Sequence, residues 1–414
     1  MPDVTSLSPH AGPEELLRLK AEYLIPCAYH FYRHPPQIVR GEGCYLFDSE
    51  GKRYLDVFTG VTVMSCGHNN PDIIEPAIRQ IRTLQHTTSI YLTEPMLRLA
   101  EKLAHVAPGD LRRSFFTASG TEAVEGALLL AALHTGRRCV VAMHHGLHGR
   151  TRWAMNVTGA PMWRTDPFPI GEVRHVPFGD LDALTIYLQR YGRQTAALVA
   201  EPIQGNGGIN VPPVGYWPAV RRLCDRHGLV LIFDEIQTGL NRTGCWFASQ
   251  HDGVTPDVMA VSKALGNGFP IAAFITTDTI AESYTRPGAS TYGGNPVSAV
   301  AALAVLKFHE QHQLGAAACD RGRDLHEGLN DLARRKAGLG VPRGRGLMLG
   351  VPVVDTAGEP DGPRCDVILE NLKDAGVLAG KTGPGRNILT FLPPLVIRDA
   401  QIGDLLDALD NVLD

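Results

Sequence analysis

The sequence predicts an α/β protein: a large, doubly wound, mostly parallel sheet domain joined to a smaller α+β domain. Three observations predict it. Five compact apolar runs, "CVVAMH", "AALVAEP", "LVLIFDE", "DVMAVS" and "IAAFITT", lack the alternation of a half-exposed strand. Strands covered by helices on both faces of a parallel sheet read this way. Segments of helical periodicity are interspersed with such strands from about residue 70, the pattern of βαβ winding. The chain is 414 residues long, 44% hydrophobic and 20% charged, which is ordinary globular composition with length for two or three structural units.

Taken in chain order, the arm from Met1 to Pro13 is polar, carries Pro and Gly, and is read as loose. "GEGCYLFDSEGKRYLDVFTG", Gly41 to Gly60, alternates apolar residues around a Ser-Glu-Gly turn and predicts a β-hairpin or meander. "PDIIEPAIRQIRTL" and "TEPMLRLAEKLAHV" repeat their apolar positions at helical spacing. "EAVEGALLLAALHT" is apolar nearly all round and predicts a buried helix. "GYWPAVRRLCDRHG" predicts a crossover helix stopped by Gly228. The boundaries expected are an N-terminal segment over 1–60, a large domain over 61–313 and a C-terminal domain over 314–414.

The net charge of −4, with 39 scattered basic residues, gives no electrostatic case for nucleic acid or an anionic membrane. The eight cysteines include no Cys-x-x-Cys pair, so they are read as free thiols of a reducing cytosol. The first twenty residues have no apolar signal region, and no stretch approaches the ~20 apolar residues of a membrane span. A cytoplasmic protein is the expectation.

Ligands of a parallel α/β sheet sit outside the carboxyl ends of its strands. Asp234 ends "LVLIFDE" and Lys263 follows "DVMAVS", which places both at one rim. A buried lysine readily loses its charge and attacks a carbonyl. An aspartate beside it can hold a cationic ring nitrogen. Pyridoxal phosphate needs those two groups. Its phosphate needs N–H groups at a helix start, and Ser119-Gly120-Thr121 precedes the apolar helix. Taken singly, a strand-end Asp is usually a cap, a Lys before glycines a solvated loop, and Ser-Gly-Thr an N-cap. Their order and their common rim carry the joint reading.

With "GHNNPDII", "SGTEAVEGA", "HGRT", "EPIQGNGG", "FDEIQTGLNRTG", "SKALGNGFP", "TYGGNP" and "FLPPLVI" in that order, the chain resembles the class III pyridoxal-phosphate aminotransferases from about Gly41 to Leu395. Its early segment looks most like the alanine–glyoxylate (second type) and ω-amino-acid transaminases. The resemblance implies the fold-type I architecture, with the smaller domain built from N- and C-terminal segments. It implies that Lys263 forms the Schiff base and shuttles the proton, and that Asp234 keeps the pyridine nitrogen protonated. It places Gln237 near the ring's phenolic oxygen and Gly120 and Thr121 at the phosphate. Thr291 would reach the phosphate of the other subunit of a homodimer, and Leu147, His148 and Glu201 would border the cofactor. The activity implied is transfer of an amino group from an amine or ω-amino acid to a 2-oxo acid (pyruvate, glyoxylate or 2-oxoglutarate), through a pyridoxamine phosphate intermediate. Relatives that eliminate phosphate from amino-alcohol phosphates, and aminomutases, use the same scaffold and are the alternatives.

Three departures bear on substrate. Leu147 stands where the family has an aromatic stacked on the ring, for which His148 or Trp153 could compensate. Val124 replaces a usual Asn. Thr390 stands in "NILTFLPPL" where the family carries the Arg that grips a substrate carboxylate and pairs with the glutamate here numbered Glu201. Glu201 is then expected to be unpaired, neutralised by Lys381 or Arg386, or free to hold a substrate ammonium, which would favour diamines. The alternative is that Lys381 or Arg386 replaces the lost arginine at the substrate, leaving an ordinary ω-amino-acid transaminase; Glu201, Trp153, Thr390, Lys381 and Arg386 are the candidate substrate contacts. The histidines at 144, 145 and 148 are explained by the same loop, without a metal.

Overall fold

A computed structural model of the chain describes residues 10–413. Most of the arm expected to be loose, residues 1–9, lies outside the described residues; Pro13 opens the helix Pro13–Tyr23.

Among the described residues the large sheet has seven strands. In spatial order they are Arg113–Thr117, Ala272–Thr276, Val258–Val261, Val230–Asp234, Thr195–Ala200, Cys139–Met143 and Glu172–Val176. The last five are mutually parallel. Ala272–Thr276 runs antiparallel to both of its neighbours, so Arg113–Thr117 shares the direction of the five. The reversal has a simple cause. The connection from Val261 to Ala272 is too short for the crossover of a dozen or more residues that a parallel return requires. "IAAFITT" is thus a buried strand, as its composition indicates, but of the opposite sense.

The five apolar runs are buried along their whole length. Successive residues go to opposite faces. Val140, Ala142, Val199, Ile232 and Ala260 pack with Ala123, Val124 and Ala127 of the helix Gly120–Thr135. Val141, Met143, Leu198, Leu231 and Phe233 pack with Trp217, Val220 and Cys224 of the helix Tyr216–His227. That helix ends at Gly228, left-handed at φ 63°. The helix Gly120–Thr135 comes so close to the sheet that a Cβ on Gly126 would lie 2.2 Å from the Phe274 ring. It is not buried all round, however: Leu129 and Leu133 are 37% and 44% exposed in the single chain.

Two small sheets complete the fold. The meander Ile38–Glu42, Tyr45–Asp48, Arg53–Asp56 is antiparallel, and Val377–Leu378 adds to it in parallel, with Val377 opposite Leu55. The other sheet contains Arg343–Arg345, Met348–Pro352, Ile388–Phe391 and Gly380–Thr382. One apolar core joins Leu55 and Val57 to Leu349, Leu369, Leu389 and Leu405, so N- and C-terminal segments form a single smaller α+β layer.

Candidate active site

Six strands of the large sheet point their carboxyl ends to one rim, and the chemistry-bearing residues follow those ends. Ser119, Gly120 and Thr121 follow Thr117; Leu147 and His148 follow Met143; Glu201 follows Ala200; Asp234 ends its strand; Lys263 follows Val261.

Lys263 lies in a cavity of about 300 Å³, walled also by Leu147, Gln237, Lys381, Arg386 and Thr390. Such a volume is at the lower end for small-molecule sites. Its backbone is left-handed, φ 46°. Among the described residues its amine has neither hydrogen bond nor ion pair. Burial pulls it down to about 8, against the opposing pull of the Asp234 and Glu201 carboxylates.

Asp234 is buried and doubly held. His148 donates from Nδ1 to its Oδ2 at 2.8 Å, and the Ile236 N–H donates to Oδ1 at 3.1 Å. Burial works against a charge on His148, but the hydrogen bond and charge of Asp234, with Glu201 farther off, hold it above its ordinary value. The next residue, Glu235, belongs to another network. It accepts from the Ala248 and Ser249 N–H groups at 3.0 and 2.8 Å and from the Thr238 hydroxyl.

Ser119 caps the helix Gly120–Thr135 in a reciprocal box with Glu122, which accepts from the Ser119 N–H at 2.8 Å. The N–H groups of Gly120 and Thr121 head the first turn and have no acceptor in their own helix. Gly149, at φ 145°, packs so tightly on Thr121 that a Cβ there would lie 2.5 Å from its Oγ1. That contact fixes the loop carrying His148 against the helix start.

Glu201 corrects the sequence-based expectation. It is not unpaired: Oε1 accepts from the Leu147 N–H at 3.0 Å and Oε2 from the Gly205 N–H at 2.8 Å. Burial raises it to about 6, partly offset by His148. Neither proposed cation reaches it. Lys381 pairs with Asp366, and Arg386 lies over the rings of Phe31 and Tyr29, 5.3 and 5.9 Å from their centroids. Glu201 is also absent from the cavity wall, which among the described residues contains no carboxylate. Trp153 is another correction. It packs into the core beside the helix Gly120–Thr135 and does not wall the cavity. The aromatic groups that do are Tyr29, Phe31, Phe58 and Trp163. Tyr29 meets Phe31 at 5.8 Å and Trp163 at 6.0 Å, and Phe31 meets Phe58 edge-on at 5.5 Å. Thr390 is buried in the same wall, its hydroxyl without a partner. Thr291 lies elsewhere, exposed beside Glu122, Leu129 and Tyr292 around a second cleft of about 430 Å³. Among the described residues no three metal-ligating side chains gather at one point.

The family described as aminotransferase class-III matches residues 30–413. The chain belongs to the class III aminotransferases. These enzymes depend on pyridoxal phosphate. The chain is 41% identical over 388 residues to the acetylornithine aminotransferase of Mycobacterium bovis, covering 92% of this chain and 93% of that one. It is 38% identical over 425 residues to alanine–glyoxylate aminotransferase 2 homolog 2, mitochondrial, of Arabidopsis thaliana, covering 97% and 88%. Among solved structures it superposes on a phospholyase from Arthrobacter in complex with phosphoethanolamine, with TM-score 0.87 and 30% identity over 96% and 99% of the chains.

The residues present fit this aminotransferase's cofactor. A partnerless amine faces a cavity, a held carboxylate stands near it, and a helix start offers unclaimed N–H groups. No described helix of the aminotransferase is long and apolar enough to cross a membrane.

Proposed function

We propose that the chain moves an amino group from an amine or ω-amino acid to a 2-oxo acid, with pyruvate, glyoxylate and 2-oxoglutarate as the candidate acceptors. The observation that carries this reading is the partnerless Lys263 amine, pulled down to about 8, at the rim shared with the His148–Asp234 pair. Pyridoxal phosphate, when bound, supplies an aldehyde and a ring that accepts electrons. Lys263 Nζ would hold the aldehyde and move the proton at the substrate carbon bearing the amine. Asp234 would keep a proton on the ring nitrogen, and His148 keeps Asp234 aimed. The Gly120 and Thr121 N–H groups and the Thr121 hydroxyl would bind phosphate, and Gln237 would serve the ring's phenolic oxygen. Leu147 would cover the ring without a π-face, and its N–H is anchored on Glu201.

Thr390 in place of arginine supports donors other than simple α-amino acids. The likeness to a phospholyase favours one alternative, elimination of phosphate from an amino-alcohol phosphate. A donor screen with the three oxo acids separates them. A new amino acid in step with donor consumed supports transamination. Release of phosphate and ammonia with no new amino acid would replace it with the lyase reading.

A homodimer completes the site in this proposal. Thr291 and Leu129 are exposed around one cleft, and Leu133, Ile90 and Leu92 are apolar side chains exposed in the single chain, which supports burial by a second copy. Thr291 would then reach the neighbour's phosphate.

A further inference from the structure

The cavity has a charge balance that the established family membership does not explain. Among the described residues its wall includes Lys263, Lys381 and Arg386 and no carboxylate. Lys381 is neutralised by Asp366, and Lys263 serves the cofactor. Arg386 is left over. Among the described residues its guanidinium has no hydrogen bond or ion pair, only the faces of Phe31 and Tyr29. Stacked in this way, a guanidinium keeps its N–H edge free for a bidentate acceptor. The backbone at Arg386 is left-handed, φ 54°, in the turn whose N–H donates to Gly383 at 3.0 Å. Such a conformation is uncommon for a residue with a side chain and concentrates at ligand-binding places. Thr390 in the same wall adds a buried hydroxyl without a partner. Nearby Thr382, by contrast, donates to the Asn206 carbonyl at 2.6 Å. Buried hydroxyls in native proteins are nearly always satisfied, so Thr390 waits on a ligand or a water.

Resting on the transaminase reading of this cavity, we infer that Arg386 holds an anion, and that the substrate carries a carboxylate or phosphate at the end away from its amino group. Tyr29, Phe31 and Trp163 cover the methylenes between the two ends, and Thr390 gives the anion or its neighbour a hydrogen bond. The same balance disfavours the diamine alternative offered by the sequence and favours the other, in which Arg386 replaces the lost arginine, because a second ammonium would meet Arg386 and, among the described residues of the wall, no acid.

The test uses the holoenzyme, native and as Arg386→Gln and Arg386→Lys. KM and kcat are measured for 4-aminobutanoate, phosphoethanolamine and butylamine. Calorimetry measures binding of glutarate and propyl phosphate, which have no amine to react. Arg386→Gln should reduce the preference for the anionic donors over butylamine by roughly ten- to a hundred-fold, in KM rather than kcat, and Arg386→Lys should restore part of it. The arm that falls further, carboxylate or phosphate, names the anion. An equal change for butylamine and the anionic donors overturns the inference. So does glutarate and propyl phosphate affinity that is absent in the native enzyme or unmoved by Arg386→Gln. If no donor passes its amino group to an oxo acid, the transaminase reading fails alone, and calorimetry still decides the role of Arg386.

Discussion

At Lys263, local strain and missing partners coincide: a left-handed backbone, a half-buried side chain facing the cavity and, among the described residues, no counter-ion in contact. The strain is on the order of 1–3 kcal/mol, held in place by the surrounding packing. Only the neutral amine attacks an aldehyde. Because burial lowers the group from 10.5 to about 8, loading of the apo-enzyme with pyridoxal phosphate should accelerate as pH rises toward 8 and level off above it. A profile still climbing near 10.5 would show that the amine is not so perturbed. Lys263→Ala should abolish turnover and visible covalent cofactor absorbance together; turnover near the native rate would remove Lys263 from the mechanism. Asp234→Asn should retain cofactor yet lose more than about tenfold in kcat, roughly 1.4 kcal/mol of barrier, since an amide cannot stabilise a protonated ring. His148→Gln should produce a smaller loss with a shifted pH profile, because it acts through Asp234. An unchanged pH profile would make His148 a packing residue.

Among the elements, the helix Gly120–Thr135 and the strand Ala272–Thr276 meet with no room to spare. Gly126→Ala would press a Cβ on the Phe274 ring, and overpacking of this kind costs about 1–3 kcal/mol. The expected result is a melting temperature lower by several degrees with native cofactor affinity; an unchanged melting temperature would mean that Phe274 moves freely aside. What the sequence made legible follows a physical rule. The five buried strands are runs of apolar letters, and a reactive residue directly after such a run must stand at the rim, so Asp234 and Lys263 could be placed. Arg113–Thr117 and Glu172–Val176 are partly exposed and mix polar residues, so they left no such trace. The sense of Ala272–Thr276 depended on the length of a connection rather than on composition. Glu201 was misjudged because its partners are the N–H groups of Leu147 and Gly205, which any residue type supplies. The aromatic wall was invisible because Tyr29 and Trp163 are far apart in sequence and meet only through tertiary packing.

For the whole molecule, the proposed homodimer gives two expectations. Sedimentation at assay concentration should show two chains per particle, and Thr291→Ala should loosen the cofactor without unfolding the chain. An active monomer, or unchanged cofactor affinity in that variant, would place Thr291 outside the site. The meander over residues 38–56 has a further implication for synthesis. Its fourth strand, Val377–Leu378, pairs with Leu55 and Asp56 from roughly 320 residues later in the chain. At ~5–20 residues per second, the ribosome delivers that strand tens of seconds after the first three. Until then Arg53–Asp56 is an open edge with unclaimed backbone groups, a hazard for wrong pairing. The large sheet has no such wait, since all of its strands lie between Arg113 and Thr276. Stalled nascent chains ending before residue 377 should therefore protect the large sheet from protease while 38–56 is still cut. Nascent chain of this protein is most exposed to chaperones at its oldest end.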